Sequence, residues 1–162
     1  MTEQNPFTHI LVPTDGSETS INAGRLAIQL AVLHHAQITF VYVVDCNVEN
    51  KIAGAPSRIT DSIDWQPEKK GHRYLDYLSR LARDKNLAAD QILLRGVPPI
   101  EIARLARTRG ADLIVIGQVG QHGPRHVLMG SVAARVVEHA SCPVLVVKHT
   151  SVRRKMSPYS MI

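Results

Sequence analysis

Three glycines and a serine stand at fixed intervals late in the sequence. Two residues separate Gly117 from Gly120, and nine more precede the pair Gly130-Ser131. The pattern directly follows the apolar run 112–116. A strand that ends at a glycine, a loop whose glycines let a ligand approach the main chain, and a helix that begins at Gly-Ser together make an anion site. Because the first N–H groups of a helix are unpaired and its dipole is positive there, phosphate is the favoured anion.

Each residue of this pattern has a predicted role in binding. We expect Gly117 to end the strand at a place where a side chain would project toward the ligand. We expect Gly120 to permit a tight loop and Gly130 to permit close approach. Ser131 offers a hydroxyl and an N–H group to phosphate oxygens, and Val132 adds a second N–H. The alternative is that the glycines only make turns and that Ser131 is an ordinary helix cap.

Apolar runs alternate with helix-period segments along the whole chain, which predicts βα units and a doubly wound, α/β parallel sheet. The predicted strands are 9–13, 37–44, 91–95, 112–116 and 143–147, and the predicted helices are 19–34, 67–85, 100–108 and 131–139. Ser17 or Thr19 would cap the first helix. Residues 46–66 lack periodicity and are predicted to be a mobile loop. We expect one domain over residues 1–150 and a flexible basic tail over 151–162.

Several segments resemble the universal stress protein family. They are Ile10-Leu11-Val12-Pro13-Thr14-Asp15-Gly16-Ser17, the glycine pattern, Gly96-Val97-Pro98 and Ser141-Cys142-Pro143-Val144-Leu145-Val146-Val147. The spacing Gly-two-Gly-nine-Gly-Ser is similar to that of the ATP-binding branch. The resemblance covers about residues 7–149. It implies a Rossmann-like, adenine nucleotide alpha hydrolase-like sheet of order 3-2-1-4-5, and a homodimer through the fifth strand at Val144, Leu145 and Val146.

With that strand order, a ligand lies beyond the carboxyl ends of the first and fourth strands, where the winding direction reverses. The resemblance places adenine against Pro13, Asp15, the main chain of Val43 and the apolar Ile116. We expect Asp15 to contact the ribose; the alternative is that its carboxylate caps the following turn. ATP, ADP and AMP remain open as the ligand, and Mg²⁺ arriving with ATP is compatible with the site.

The sequence departs from the family at Gln118-Val119, where a serine followed by a basic residue or histidine is commoner. Without that cation, the phosphate charge would be balanced by Arg125, His122, His126 or a divalent ion. We predict no dedicated metal site, because Gly123-Pro124 breaks any helical register between the two histidines and no third ligand is in sight.

Three functions are compatible with these residues. The favoured one is a dimeric, adenine-nucleotide-binding sensor or regulator of the stress response. The second is a slow ATP-hydrolysing enzyme, although the sequence has no Gly-x-x-x-x-Gly-Lys-Ser/Thr loop and suggests no catalytic residue. The third is a dimeric interaction module that binds no nucleotide. The apolar fifth strand supports it, because an unpaired sheet edge invites another strand.

The composition excludes several other classes of protein. The net charge of +5 over 162 residues falls largely to Lys148, Arg153, Arg154 and Lys155, so we expect no nucleic-acid partner. The two cysteines, Cys46 and Cys142, have no neighbours at zinc-ligand spacing. The start of the sequence lacks the features of a secretory signal, and no apolar run reaches the length of a membrane span. We therefore expect a cytoplasmic protein with no membrane role.

Overall fold

The computed structural model describes residues 5–54, 66–121 and 128–148. In chain order the elements are β1 (His9–Pro13), α1 (Glu18–His34), β2 (Gln37–Asp45), α2 (Cys46–Ala53), α3 (Pro67–Arg83), β3 (Ala89–Gly96), α4 (Pro98–Arg109), β4 (Leu113–Gly117), α5 (Ser131–His139) and β5 (Val144–Val147). Within these residues, no helix has the length and apolar character needed to cross a membrane. The basic tail lies outside the described residues.

The strands form one parallel sheet of order β3-β2-β1-β4-β5, as the resemblance implies. β1 lies at its centre and pairs with β2 on one side and β4 on the other. On β2, the register ends with Pro13 opposite Val41. On β4, Leu11 lies opposite Ile114. The winding direction therefore reverses between β1 and β4, which confirms the predicted α/β fold.

Helices cover both faces of the sheet, and this explains why the central strands are apolar at nearly every position. On one face, α1 and α3 bury Ala27 and Leu78 against Phe40 of β2. On the other face, α4 and α5 bury Ile102 and Val136 against the central strands. The face of α1 that packs on the sheet includes the buried Ala27, Ile28 and Ala31 and the half-buried Ile21.

The prediction of a mobile loop over 46–66 is wrong at its beginning, where residues Cys46–Ala53 form α2. The carboxylate of Asp45 accepts a 2.9 Å hydrogen bond from the N–H of Asn47, which supports the first turn. A helix of 8 residues spans too few turns for its periodicity to be recognised. Residues 55–65 of the predicted loop lie outside the described residues.

Strand β3 is longer than predicted, whereas one of the two predicted caps of α1 is confirmed. Strand β3 extends to Ala89 and Gly96, because it pairs with β2 from Ile38 through Asp45. The sequence did not indicate the full length of β3, because exposed polar residues interrupt its apolar run. Ser17 caps α1 by accepting a hydrogen bond from the N–H of Ser20, and the alternative cap, Thr19, lies inside the helix.

Asp112, directly before β4, forms hydrogen bonds to the segment where β1 begins. Its carboxylate accepts hydrogen bonds from the N–H of Thr8 at 2.7 Å, the Thr8 hydroxyl at 2.6 Å and the N–H of His9 at 3.1 Å. Burial acts to raise the pKa of Asp112, but the hydrogen bonds from Thr8 and His9 outweigh it and hold the pKa below its ordinary value.

We expect Asp112→Asn to lower the free energy of unfolding by about 1 kcal/mol at pH 7, because an amide cannot accept all these hydrogen bonds. The loss is no larger because solvent screens part of the carboxylate charge. A carboxyl group whose pKa is lower in the folded protein than in the unfolded chain stabilises the folded protein above the unfolded pKa. This stabilisation is lost as the pH falls through the pKa of the folded state. The deficit should therefore shrink below about pH 4. Urea unfolding at pH 7 and pH 3 measures it, and an equal deficit at both pH values would contradict this account.

Candidate functional site

The candidate site lies at the carboxyl ends of β1 and β4. The segment from Gly117 to Gly130, called here the glycine loop, leaves β4 and leads into α5. Residues 117–121 and 128–130 of this loop are described. The structure brings them next to Asp15 and Ser17, in the turn between β1 and α1, although about a hundred residues separate the two segments.

The N-terminus of α5 has the features of an anion site. Gly130 is its N-cap residue, with φ −71° and ψ 158°, and the N–H of Gly130 donates a 2.7 Å hydrogen bond to the carbonyl of Gln118. No described side chain caps α5, and its first turn contains no acidic residue. Ser131 and Val132 are exposed there. The first-turn N–H groups can therefore donate hydrogen bonds to an anion from solvent.

Two of the predicted glycines are explained by close contacts. A Cβ atom at Gly130 would lie 3.1 Å from the carbonyl oxygen of Gln118 and 3.3 Å from the Cα atom of Val119. A Cβ atom at Gly120 would lie 2.6 Å from Oδ2 of Asp15. The absence of both side chains lets the loop fold back on itself and lets Asp15 reach it.

For Gly117, the predicted direction of a side chain is wrong. A Cβ atom there would not project into the crevice, because it would lie 2.7 Å from the main-chain N of Ser20 and 2.8 Å from Oγ1 of Thr19. Gly117 allows the end of β4 to pack directly against the first turn of α1. The Thr19 hydroxyl also donates a hydrogen bond to the carbonyl of Val119, so the loop begins against α1.

Asp15 joins the two halves of the site. Its Oδ1 accepts a 2.9 Å hydrogen bond from the N–H of Ser17, and its Oδ2 accepts a 2.8 Å hydrogen bond from the N–H of Gln121. The first contact is the turn-capping role that was the alternative to ribose binding. The second contact joins Asp15 to the glycine loop, which the predicted strand order brings to the same edge of the sheet, but the hydrogen bond from Gln121 itself was not predicted. Each carboxylate oxygen keeps accepting capacity, so ribose contact stays a prediction.

Gln118, at the departure from the family pattern, closes the glycine loop at its base. Its side-chain amide donates a hydrogen bond to the carbonyl of Leu128, and its N–H donates a 2.8 Å bond to the carbonyl of Val147. Its own carbonyl accepts from Gly130. Gln118 therefore joins both ends of the loop to β5, a role that its residue type alone does not indicate.

The residues proposed for adenine lie along the same edge. Pro13 is buried at the end of β1. Val43 and Ile116 belong to the apolar cluster beneath α4 and α5. Because the pairing of β1 with β2 ends at Val41, the main chain of Val43 lies beyond the paired end of β1. The three residues therefore lie at or near the carboxyl ends of the adjacent strands β1, β2 and β4.

The three side chains predicted to balance phosphate charge, those of His122, Arg125 and His126, lie outside the described residues. Within residues 5–54, 66–121 and 128–148, no group of three or more His, Cys, Asp or Glu side chains is placed to hold a metal ion.

Residues 6–148 match the model of the universal stress protein family. The chain belongs to this family. It is 36% identical over 146 residues to the universal stress protein MJ0531 of Methanocaldococcus jannaschii, which covers 90% of this chain and 84% of the relative.

Solved structures of universal stress proteins have the same architecture. The protein UspA from Lactobacillus plantarum superimposes with a TM-score of 0.72 at 27% identity, over 87% of this chain and 97% of that chain. A universal stress protein in complex with cAMP gives a TM-score of 0.67 at 26% identity, over 90% and 99% of the two chains. The second of these relatives therefore binds an adenine nucleotide.

Proposed function

We propose that this universal stress protein binds an adenine nucleotide, as members of the ATP-binding branch do. One observation carries the proposal: the glycine loop at the carboxyl end of β4 leads into an α5 N-terminus that no described side chain caps. Such a terminus favours phosphate. The relative in complex with cAMP supports the same ligand class.

In this proposal the phosphates bind the N–H groups of Ser131 and Val132 and the Ser131 hydroxyl. The main chain at Gly117, Gly120 and Gly130 borders the ribose and phosphates. The ribose contacts Asp15, and the adenine lies against Pro13, Val43 and Ile116. ATP, ADP and AMP all fit this arrangement, and Mg²⁺ would accompany ATP, held mainly by phosphates and water.

The direct experiment is mass analysis of small molecules released from freshly purified protein, followed by calorimetric titration with ATP, AMP and adenosine at low ionic strength. We expect affinity to fall in that order, because each lost phosphate removes contacts at α5. Absence of both heat and thermal protection with all three ligands would contradict the proposal.

We further propose that the bound nucleotide is a signal in the stress response rather than a substrate that turns over. Fast cleavage needs cations and a group that positions water, and the sequence has no Gly-x-x-x-x-Gly-Lys-Ser/Thr loop and no lysine in the glycine loop. Phosphate release from ATP should therefore be far slower than about 1 s⁻¹, the low end of ordinary enzyme turnover. A faster rate that disappears in a binding-defective variant would instead favour an ATPase.

The edge strand β5 supports a homodimer in the same proposal. β5 pairs with β4 on one side only, and Leu145 is 38% exposed there. An unpaired apolar edge is covered most simply by a second copy in a two-fold contact. Val144, Leu145 and Val146 would form its centre.

We expect Leu145→Lys to shift the protein from dimer to monomer at micromolar concentration, because a charge would be buried in the contact. The matched control is Leu33→Lys, since Leu33 is 71% exposed and belongs to α1 rather than to the sheet edge. Sedimentation velocity measures both variants. A monomeric unchanged protein would refute the dimer.

A further inference from the structure

A set of hydrogen bonds connects the first turns of α3 to the glycine loop. Nζ of Lys70 donates to Oε1 of Gln121 at 3.1 Å, and Nε2 of Gln121 donates to the hydroxyl of Tyr74 at 3.1 Å. Because an ammonium group only donates, Lys70 fixes which end of the Gln121 amide is oxygen. The N–H of Gln121 donates to Asp15. We call these four residues, Lys70, Tyr74, Gln121 and Asp15, the α3 latch.

Aromatic rings hold the α3 latch against the sheet. The ring of Tyr74 lies directly on Gly16, where a Cβ atom would overlap it, and Gly16 has a φ of +80° that also favours glycine. The ring of Tyr42 in β2 packs on Gly71 of α3, where a Cβ atom would lie 2.5 Å from Cδ1 of that ring. Burial, then Tyr74 and Asp15, raise the pKa of Tyr42, so its phenol stays neutral.

The latch acts on the part of the loop that the proposed function needs. Gln121 directly follows Gly120, and Gly120 packs between Asp15 and the main chain near Gly130. Movement of Gln121 would release one of the two main-chain hydrogen bonds to Asp15. Lys70 brings a positive charge to this part of the loop, because its side chain donates a hydrogen bond to Gln121.

We propose that Lys70 and Tyr74 are positioning residues for nucleotide binding: they hold Gln121, and through it Asp15 and the glycine loop, in the binding conformation. The inference rests on the proposed function. It makes α3 part of the site although α3 lies outside the glycine motif. Because the latch sets the position of the loop, its loss should weaken ATP and AMP binding by the same factor.

The test uses Tyr74→Phe and Gln121→Met, singly and together. Tyr74→Phe keeps the ring on Gly16 and removes only the hydroxyl. We expect each single variant to weaken binding of ATP and AMP about three- to tenfold, as for the loss of one hydrogen bond. The double variant should lose no more than the weaker-binding single variant, because both substitutions break the same connection.

Two matched controls separate positioning from general destabilisation. Tyr77 is on the same helix as Tyr74, but its hydroxyl accepts a 2.9 Å hydrogen bond from Arg25 of α1 rather than from the loop. Tyr77→Phe removes this hydroxyl. Lys69→Met removes an exposed neighbouring charge and is compared with Lys70→Met. We expect both controls to bind within twofold of the unchanged protein, while Lys70→Met weakens binding about three- to tenfold.

Additive losses in the double variant, or equal losses in the controls, would overturn the inference. A loss confined to ATP with Lys70→Met would also overturn it, because this would mean direct contact with the outer phosphates. Unchanged affinity in every latch variant, with normal binding by the unchanged protein, would refute the latch alone. If the unchanged protein binds no adenine nucleotide, the proposed function fails and the inference fails with it.

Discussion

Replacement of Ser131 by proline is expected to weaken ATP binding by about 10- to 100-fold while the fold is kept. Proline removes the N–H group and the hydroxyl at the first position of α5, where a charged phosphate would accept both hydrogen bonds. Helices accept proline at this position. The preceding Gly130, at ψ 158°, already has the extended conformation that a following proline favours.

The matched control is Ser131→Ala, which removes the hydroxyl but keeps the N–H group. Calorimetry should show a loss of only about two- to tenfold for this variant. The ratio between the two affinities then measures the main-chain contact alone, and thermal unfolding confirms that both variants fold. Equal affinities for the proline and alanine variants would show that the main chain of α5 does not bind the phosphate.

The strands beside the candidate site, β1 and β4, could be predicted because their sequences are locally unambiguous. β1 and β4 are continuous apolar runs buried on both faces, and the prediction of their positions is correct to within a residue. β3 was predicted too short, since its mixed exposed and half-buried positions give no continuous run. The order of the strands came from the family resemblance and not from any local pattern.

The contacts inside the site could not be predicted in the same way. The residue types at Gly117, Gly120, Gly130 and Ser131 indicated a loop beside a helix N-terminus, and the structure places them so. However, the hydrogen bond from Gln121 to Asp15 depends on how two distant turns meet. A glutamine after a glycine carries no signal for it.

The same dependence on contacts between distant segments explains why the predicted side-chain direction at Gly117 was wrong. A strand-ending glycine was expected to leave room for a ligand, because that edge of the sheet holds the crevice. The side on which a missing Cβ would lie depends on the distance between α1 and β4, and here Thr19 and Ser20 occupy that space. Packing between elements far apart in sequence therefore decides what this glycine does.

Gly117→Ala should consequently lower the stability of the protein, which separates its packing role from ligand contact. The new Cβ atom would lie 2.7 Å from the main chain of Thr19 and Ser20, so α1 must shift. Such overpacking costs about 2–3 kcal/mol. For a chain of this length the expected fall in Tm is about 5–10 °C without nucleotide.

The matched control is Gly54→Ala, because a Cβ atom at Gly54 would make only an ordinary contact, 3.5 Å from the carbonyl oxygen of Asn50. Its Tm should stay within about 2 °C of the unchanged value, as for surface substitutions away from special features. Thermal unfolding of both variants without nucleotide measures the two Tm values. A normal Tm in Gly117→Ala, together with lost nucleotide binding, would restore the view that this position faces the ligand, whereas a low Tm assigns Gly117 to the junction of β4 and α1.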